Sequence, residues 1–118
     1  MDTLDTRLGG EAPTPPEHAV IVEFDYGLPE LGPMIAFAKR LESAIAVEGT
    51  GEFDGYEIAM DLSHGTFWMY GEDADDLFFT VRPLLLSVGG MRGAWVTRRY
   101  GPPEDGVREE TVELPGGA

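Results

Sequence analysis

The chain contains no cysteine. Disulfide frameworks, thiol nucleophiles and thiolate metal sites are therefore excluded. Lysine is almost as scarce. Lys39 is the only one, and Lys and Arg together number 8 against 22 Asp and Glu, a formal net charge of -14. Contacts to phosphate need clustered Lys and Arg, so this balance excludes nucleic acid and anionic membrane as partners. No apolar run approaches the ~18 residues of a membrane helix. No basic segment followed by an apolar stretch opens the chain as a signal peptide would. A soluble cytoplasmic protein is expected. Neither the Gly-x-Ser-x-Gly elbow nor the Gly-x-x-x-x-Gly-Lys phosphate loop occurs, and no cofactor is expected.

What is present is a folding pattern. A chain of 118 residues with 42% hydrophobic content is expected to form one domain that buries roughly 65% of its unfolded surface. Residues 1–18 hold Gly9, Gly10, Pro13, Pro15 and Pro16 and few large apolar groups. Such a segment cannot bury enough surface to offset its ordering entropy, so a disordered tail is expected there, with His18 as its last residue. Residues 19–115 are expected to form a single α+β domain.

Ala19 to Tyr26 alternates, with Val20, Val22, Phe24 and Tyr26 on one side and Ile21, Glu23 and Asp25 on the other. That is a half-buried strand. From Pro33 to Val47 the apolar positions recur at helical spacing, and Gly49 or Gly51 is the expected stop. Tyr56, Ile58, Met60 and Leu62 then alternate with Glu57, Ala59 and Asp61. A two-residue turn at His64-Gly65 would pair Leu62 with Phe67 and Met60 with Met69, setting Asp61 opposite Trp68. Asp73 is expected to cap a second helix, with Asp75 and Asp76 in its first turn. Pro83 lies inside that helix and predicts a kink or two short helices. Gly93 to Tyr100 and Glu109 to Leu114 read as two last strands, which would set Arg99 opposite Glu109 and Arg98 opposite Glu110. Cross-strand ion pairing is the simplest role for these arginines.

The order β-α-β-β-α-β with an extra C-terminal strand predicts a ferredoxin-like α+β sandwich. Right-handed crossovers place both helices on one face of an antiparallel sheet. The first strand is expected between the third and fourth, with the extra strand beside the fourth. The residues of Val22–Gly27, Asp54–Ala59, Tyr70–Asp75, Val81–Pro83 and Arg99–Pro103 resemble a family of small, acidic bacterial proteins of uncharacterised activity. That resemblance implies the same ferredoxin-like α+β fold and carries over no catalytic residue.

The face away from the helices is expected to carry Ile21, Glu23, Asp25, Glu57, Ala59, Asp61, Trp68, Tyr70, Trp95, Thr97, Arg99 and Glu113. Exposed aromatic patches mark interaction surfaces. The expected function is a non-enzymatic binding or regulatory domain working through this acidic, aromatic face. Either a homodimer forms there, or a basic protein partner such as a toxin is captured. The interaction residues are expected to be Glu23, Asp25, Glu57, Asp61, Trp68, Tyr70, Trp95 and Arg99. The alternative is a small metal-dependent enzyme or ligand binder using the same carboxylates. Asp73-Ala74-Asp75-Asp76 lacks the glycine of a calcium loop, since Phe78 stands in its place. Ser63 and His64 are adjacent on an expected turn, where neighbours rarely face one another.

Overall fold

Alternation along the first strand decides which side of the sheet is buried. In β1 (His18–Asp25) the side chains of Val20, Val22 and Phe24 are buried, and Glu23 and Asp25 are exposed. The computed structural model describes residues 18–88, 91 and 93–115. The expected tail up to residue 17 and the Gly89-Gly90 pair lie outside these. His18 does not belong to the tail, for it begins β1.

The other elements are α1 (Gly32–Glu48), β2 (Glu52–Ile58), β3 (His64–Gly71), α2 (Ala74–Ser87), β4 (Trp95–Arg99) and β5 (Glu109–Glu113). The sheet runs β2-β3-β1-β4-β5, with every neighbouring pair antiparallel. Its first four strands stand in the ferredoxin-like order, with β1 between β3 and β4. β5 lengthens the β4 edge beyond that four-stranded pattern. Among the described residues no helix is long and apolar enough to cross a membrane.

Both helices pack on the side of Val20, Val22 and Phe24. α1 contributes Met34, Phe37, Ala38, Leu41 and Ile45 to one core cluster, and α2 contributes Ala74, Leu77, Val81 and Leu85. These positions recur every three or four residues, which gathers them on one side of each helix. Phe67 lies at the centre of this layer. Its ring is 4.6 Å from that of Phe24, 5.7 Å from Phe53 and 6.1 Å from Phe37.

The ends of the helices follow from their sequences. α1 stops at Gly49, whose φ of 70° is left-handed and whose N–H donates to the Ile45 carbonyl, a conformation that suits glycine. Asp73 caps α2, accepting from the amides of Asp75 and Asp76 at 2.9 and 3.2 Å. The His18 Nδ1 atom accepts from the Ala74 amide at 3.0 Å, which ties the first residue of β1 to the start of α2. Pro83 does not divide α2, which runs as one helix past it. The hydrogen bond that Pro83 cannot donate is to the Phe79 carbonyl, and both residues are exposed. Water can satisfy that carbonyl, which lowers the penalty of an interior proline.

The β2–β3 connection departs from the sequence expectation. Tyr56 pairs with Phe67 and Ile58 with Gly65, a slip of six positions from the expected pairing of Leu62 with Phe67. β3 must span residues 64–71 because all eight residues of β1 pair with it, ending at Asp25 opposite His64. That leaves no room for a turn at His64-Gly65. The chain reverses instead through residues 59–63, closed by Leu62 N–H to the Ala59 carbonyl at 2.8 Å. Leu62 holds the left-handed φ of 61° there. Met60 is wholly exposed rather than in the core, and Leu62 stands in the loop. A bulge between Phe53 and Gly55 starts β2 earlier than its alternation indicates.

Candidate functional site: the open sheet face

The register of the four strand pairs lays the side away from the helices out as a grid. One row runs Glu52, Tyr70, Ala19, Arg99, Glu109; the next runs Gly55, Trp68, Ile21, Thr97, Thr111. The third runs Glu57, Thr66, Glu23, Trp95, Glu113, and Asp25 lies beyond it opposite His64. Seven of the eight expected interaction residues therefore share this face: Glu23, Asp25, Glu57, Trp68, Tyr70, Trp95 and Arg99. Asp61 does not, since it sits in the 59–63 loop, and Ala59 leaves the face with it.

Both tryptophans of the chain stand here. Trp95 is 48% exposed, and Trp68 and Tyr70 are half-buried. Among the described residues neither indole meets another aromatic ring, so the aromatics do not cover each other as cross-strand pairs. The sheet neighbours of Trp95 are Glu23 and Glu113. A cleft of about 440 Å³ lies beside it, lined by Glu23, Asp25, His64, Thr66 and Trp95 among others. In all, the rows hold five carboxylates and one guanidinium, that of Arg99, and Asp25 beyond them brings the face to six carboxylates. The Arg99 Nε atom donates to the Gly101 carbonyl at 2.8 Å. Thr97 and Thr111 join their hydroxyls at 3.0 Å.

Metal chemistry finds little support in this layout. Among the described residues no three His, Asp or Glu side chains are grouped to hold a metal ion. Of the four carboxylates in the metal reading, Glu23, Asp25 and Glu57 stay on the sheet face, and the 59–63 loop removes Asp61 from it.

The loop does bring Asp61, Ser63 and His64 together, contrary to the expectation for adjacent turn residues. The Ser63 hydroxyl donates to Asp61 Oδ1 at 2.6 Å and lies 2.9 Å from His64 Nδ1. The Ser63 amide also donates to Asp61 Oδ1, at 3.0 Å. These bonds hold the Asp61 carboxyl below its ordinary value, the Ser63 hydroxyl being the largest cause. The order is wrong for a nucleophile. A catalytic triad sets the imidazole between the hydroxyl and the carboxylate, whereas here the hydroxyl proton goes to the carboxylate itself.

A second polar cluster lies across the helix-side rim, and of its bonds the sequence reveals only Arg98 with Glu110. Arg98 donates to Asp75 at 2.8 Å and to Glu110 at 3.3 Å. The Tyr100 hydroxyl donates to the same Asp75 oxygen at 2.6 Å. Arg108 bonds Glu110 and lies over the Tyr100 ring, 4.3 Å from its centroid. His18 meets that ring edge-on. The Tyr100 bond is the largest cause holding Asp75 below its ordinary value, and Arg108 does the same for Glu110. Desolvation, followed by the bond to Asp75, pushes Tyr100 up to about 12 from 10.0. A raised folded value means stability that is complete below pH 10.0 and is lost as the pH climbs toward about 12. An alkaline titration of tyrosinate absorbance is therefore expected to carry a late component that Tyr100→Phe removes. A late component that survives in that variant would show that Tyr100 is not the raised group. These groups pair with one another, although the buried Arg98 Nε has no hydrogen-bond partner among the described residues, and they fasten α2 to β4 and β5, which is a structural role.

No family model matches the chain, and no curated protein matches it. The likeness to small acidic bacterial proteins stays an expectation from the sequence. Among solved structures the chain is similar to the ligand-free regulatory subunit of aspartate kinase from Thermus thermophilus. The identity is 18% and the TM-score 0.41, over 70% of this chain and 56% of that one. The fold follows from the strand order and register above rather than from this neighbour.

Proposed function

We propose that the protein is a non-enzymatic binding domain whose open sheet face takes a basic protein partner. One observation carries this reading: two indoles and a phenol share a face with six carboxylates and a single guanidinium. Aromatic side chains supply contact area, and the surrounding acids select a cationic partner and speed its capture.

Charge also favours a foreign partner over the expected homodimer. Two open faces brought together would set six carboxylates against six, in a chain whose net charge is -14, and like charges across an interface are strongly unfavourable. Area points the same way. Five strands about 4.8 Å apart and three rows of side chains give a face of about 500 Å². A stable interface takes about 800 Å² from each partner. The face suits a reversible complex with a basic segment better than a permanent dimer.

The test uses the two tryptophans as reporters. Titration with a tryptophan-free oligoarginine peptide at low salt is expected to shift the indole emission. The combined variant Glu23→Gln, Glu57→Gln, Glu113→Gln is expected to bind about tenfold or more weakly, one lost charge-assisted contact being worth roughly 1 kcal/mol. Equal binding by the two proteins would remove the open face from the account.

A further inference from the structure

We infer that the segment of the basic partner seated on this face is an amphipathic helix lying across the strands. Its apolar stripe rests on Trp68, Ile21 and Thr97, and its Lys and Arg side chains reach the carboxylates on both sides. The inference rests on the open face being the site of a basic partner, and it specifies the shape of what docks there.

The distribution of charge among the rows points to this occupant. The middle row, Gly55, Trp68, Ile21, Thr97 and Thr111, carries no charge at all. Its two threonines already engage each other's hydroxyls, so the row offers little polar bonding of its own. The rows on either side hold the acids: Glu52 and Glu109 at the two ends of one, where Arg99 stands beside Glu109, and Glu57, Glu23 and Glu113 along the other, the more acidic margin. An uncharged band flanked by two acidic margins is the complement of a helix with an apolar stripe and basic flanks.

Dimensions agree. Neighbouring rows are two residues apart along each strand, about 6.7 Å, so the acidic margins stand about 13 Å from one another. A helix with its side chains is about 10–12 Å across and fits between them. The middle row crosses five strands, about 19 Å, which is the length of about 13 helical residues. Lysine and arginine stems can lie along the band while their heads reach outward to the acids.

An extended segment fits less well. Laid along the row, a strand is about 4.8 Å wide and turns every second side chain to solvent. Added at a sheet edge, it would leave both indoles uncovered. It would also meet Glu52, Asp54 and Glu57 along β2, or Glu109, Glu110 and Glu113 along β5, charges of the kind that guard edges against pairing. Trp68 and Ile21 lie at the centre of the grid, where the residues that dominate binding energy are usually found.

Three tryptophan-free peptides of equal charge test the inference, the two that contain Leu being about 13 residues long. The first carries Leu at helical spacing with Lys and Arg on its flanks. The second has the same composition in strict alternation, and the third is an oligoarginine. Indole emission gives the affinity, and circular dichroism gives the helix formed on binding. The helical pattern is expected to bind at least tenfold more tightly than the alternating one and to gain helicity in the complex. Ile21→Asn, which changes no charge, is expected to erase that advantage, so that the helical and alternating peptides bind that variant alike. Equal affinity for all three peptides, or a helix advantage that survives Ile21→Asn, would overturn the helix while the basic-partner reading stood. Failure of every peptide to bind would remove both, as would self-association of the protein through the same face.

Discussion

Phe67→Ala is expected to lower the folding free energy by about 4 kcal/mol, within the range of large-to-small changes at buried aromatic sites. Phe67, on β3, is fully buried, and its ring packs beside rings from three other elements: Phe24 on β1, Phe53 on β2 and Phe37 on α1. Truncation would leave a void that these rings cannot close without shifting both the sheet and α1. Domains of this size have about 5–15 kcal/mol of stability in all, so the variant is expected near the edge of unfolding. The urea midpoint checks it. A loss under about 1 kcal/mol, typical of a surface substitution, would show that the core is not built around this ring.

Gly51→Ala is expected to be nearly as damaging, at about 3 kcal/mol, for a different reason. A Cβ on Gly51 would lie 2.2 Å from the Tyr70 carbonyl oxygen and 3.2 Å from the Gly71 Cα atom. The reverse approach is as close, since a Cβ on Gly71 would lie 2.4 Å from the Thr50 carbonyl oxygen. Every atom near the added Gly51 Cβ is backbone, so no side chain can swing away. The entry to β2 would have to separate from the end of β3. Gly32→Ala is the control. Its nearest neighbour would be 3.9 Å away, and an alanine near a helix start is neutral or slightly stabilising. Thermal melts of the two variants should differ widely. If they coincide, the two backbone segments are not in contact as described. Because Tyr70 forms part of the open face, Gly51→Ala is also expected to weaken peptide binding in whatever fraction stays folded.

Local signals in the sequence account for most of the fold. The alternation of Val20, Val22 and Phe24 marks the buried side of β1, and Asp73 marks the start of α2. The loop of residues 100–108 joins β4 to β5 with Arg98 opposite Glu110 and Arg99 opposite Glu109, as the sequence pairing expects. Period-two patterning also places Trp68, Trp95, Glu23 and Glu57 on the open face. It does so even though the hairpin register slips, because a slip by an even number of residues preserves faces. What it cannot supply is the length of β3, which is set by pairing with the whole of β1. From that one missing constraint follow the misplaced turn, the exposure of Met60 and the removal of Asp61 from the site. The bulge at Phe53 and Gly55 is hidden for a related reason, since Asp54-Gly55 reads locally as a turn. The bond between Tyr100 and Asp75 joins residues 25 apart in the chain, and no local pattern announces it.

The central claim is that a cationic partner docks on the open face rather than on the helical layer. The chain has two tryptophans, both on that face, so the indole N–H region of a nitrogen–proton correlation spectrum holds two reporters. Addition of the oligoarginine peptide is expected to shift both indole signals together with the amides of Ile21, Glu23 and Thr97. The amides of Phe79, Arg82 and Leu86, on the outer side of α2, are expected to stay in place. Shifts confined to α1 and α2 with both indoles unmoved would contradict the account.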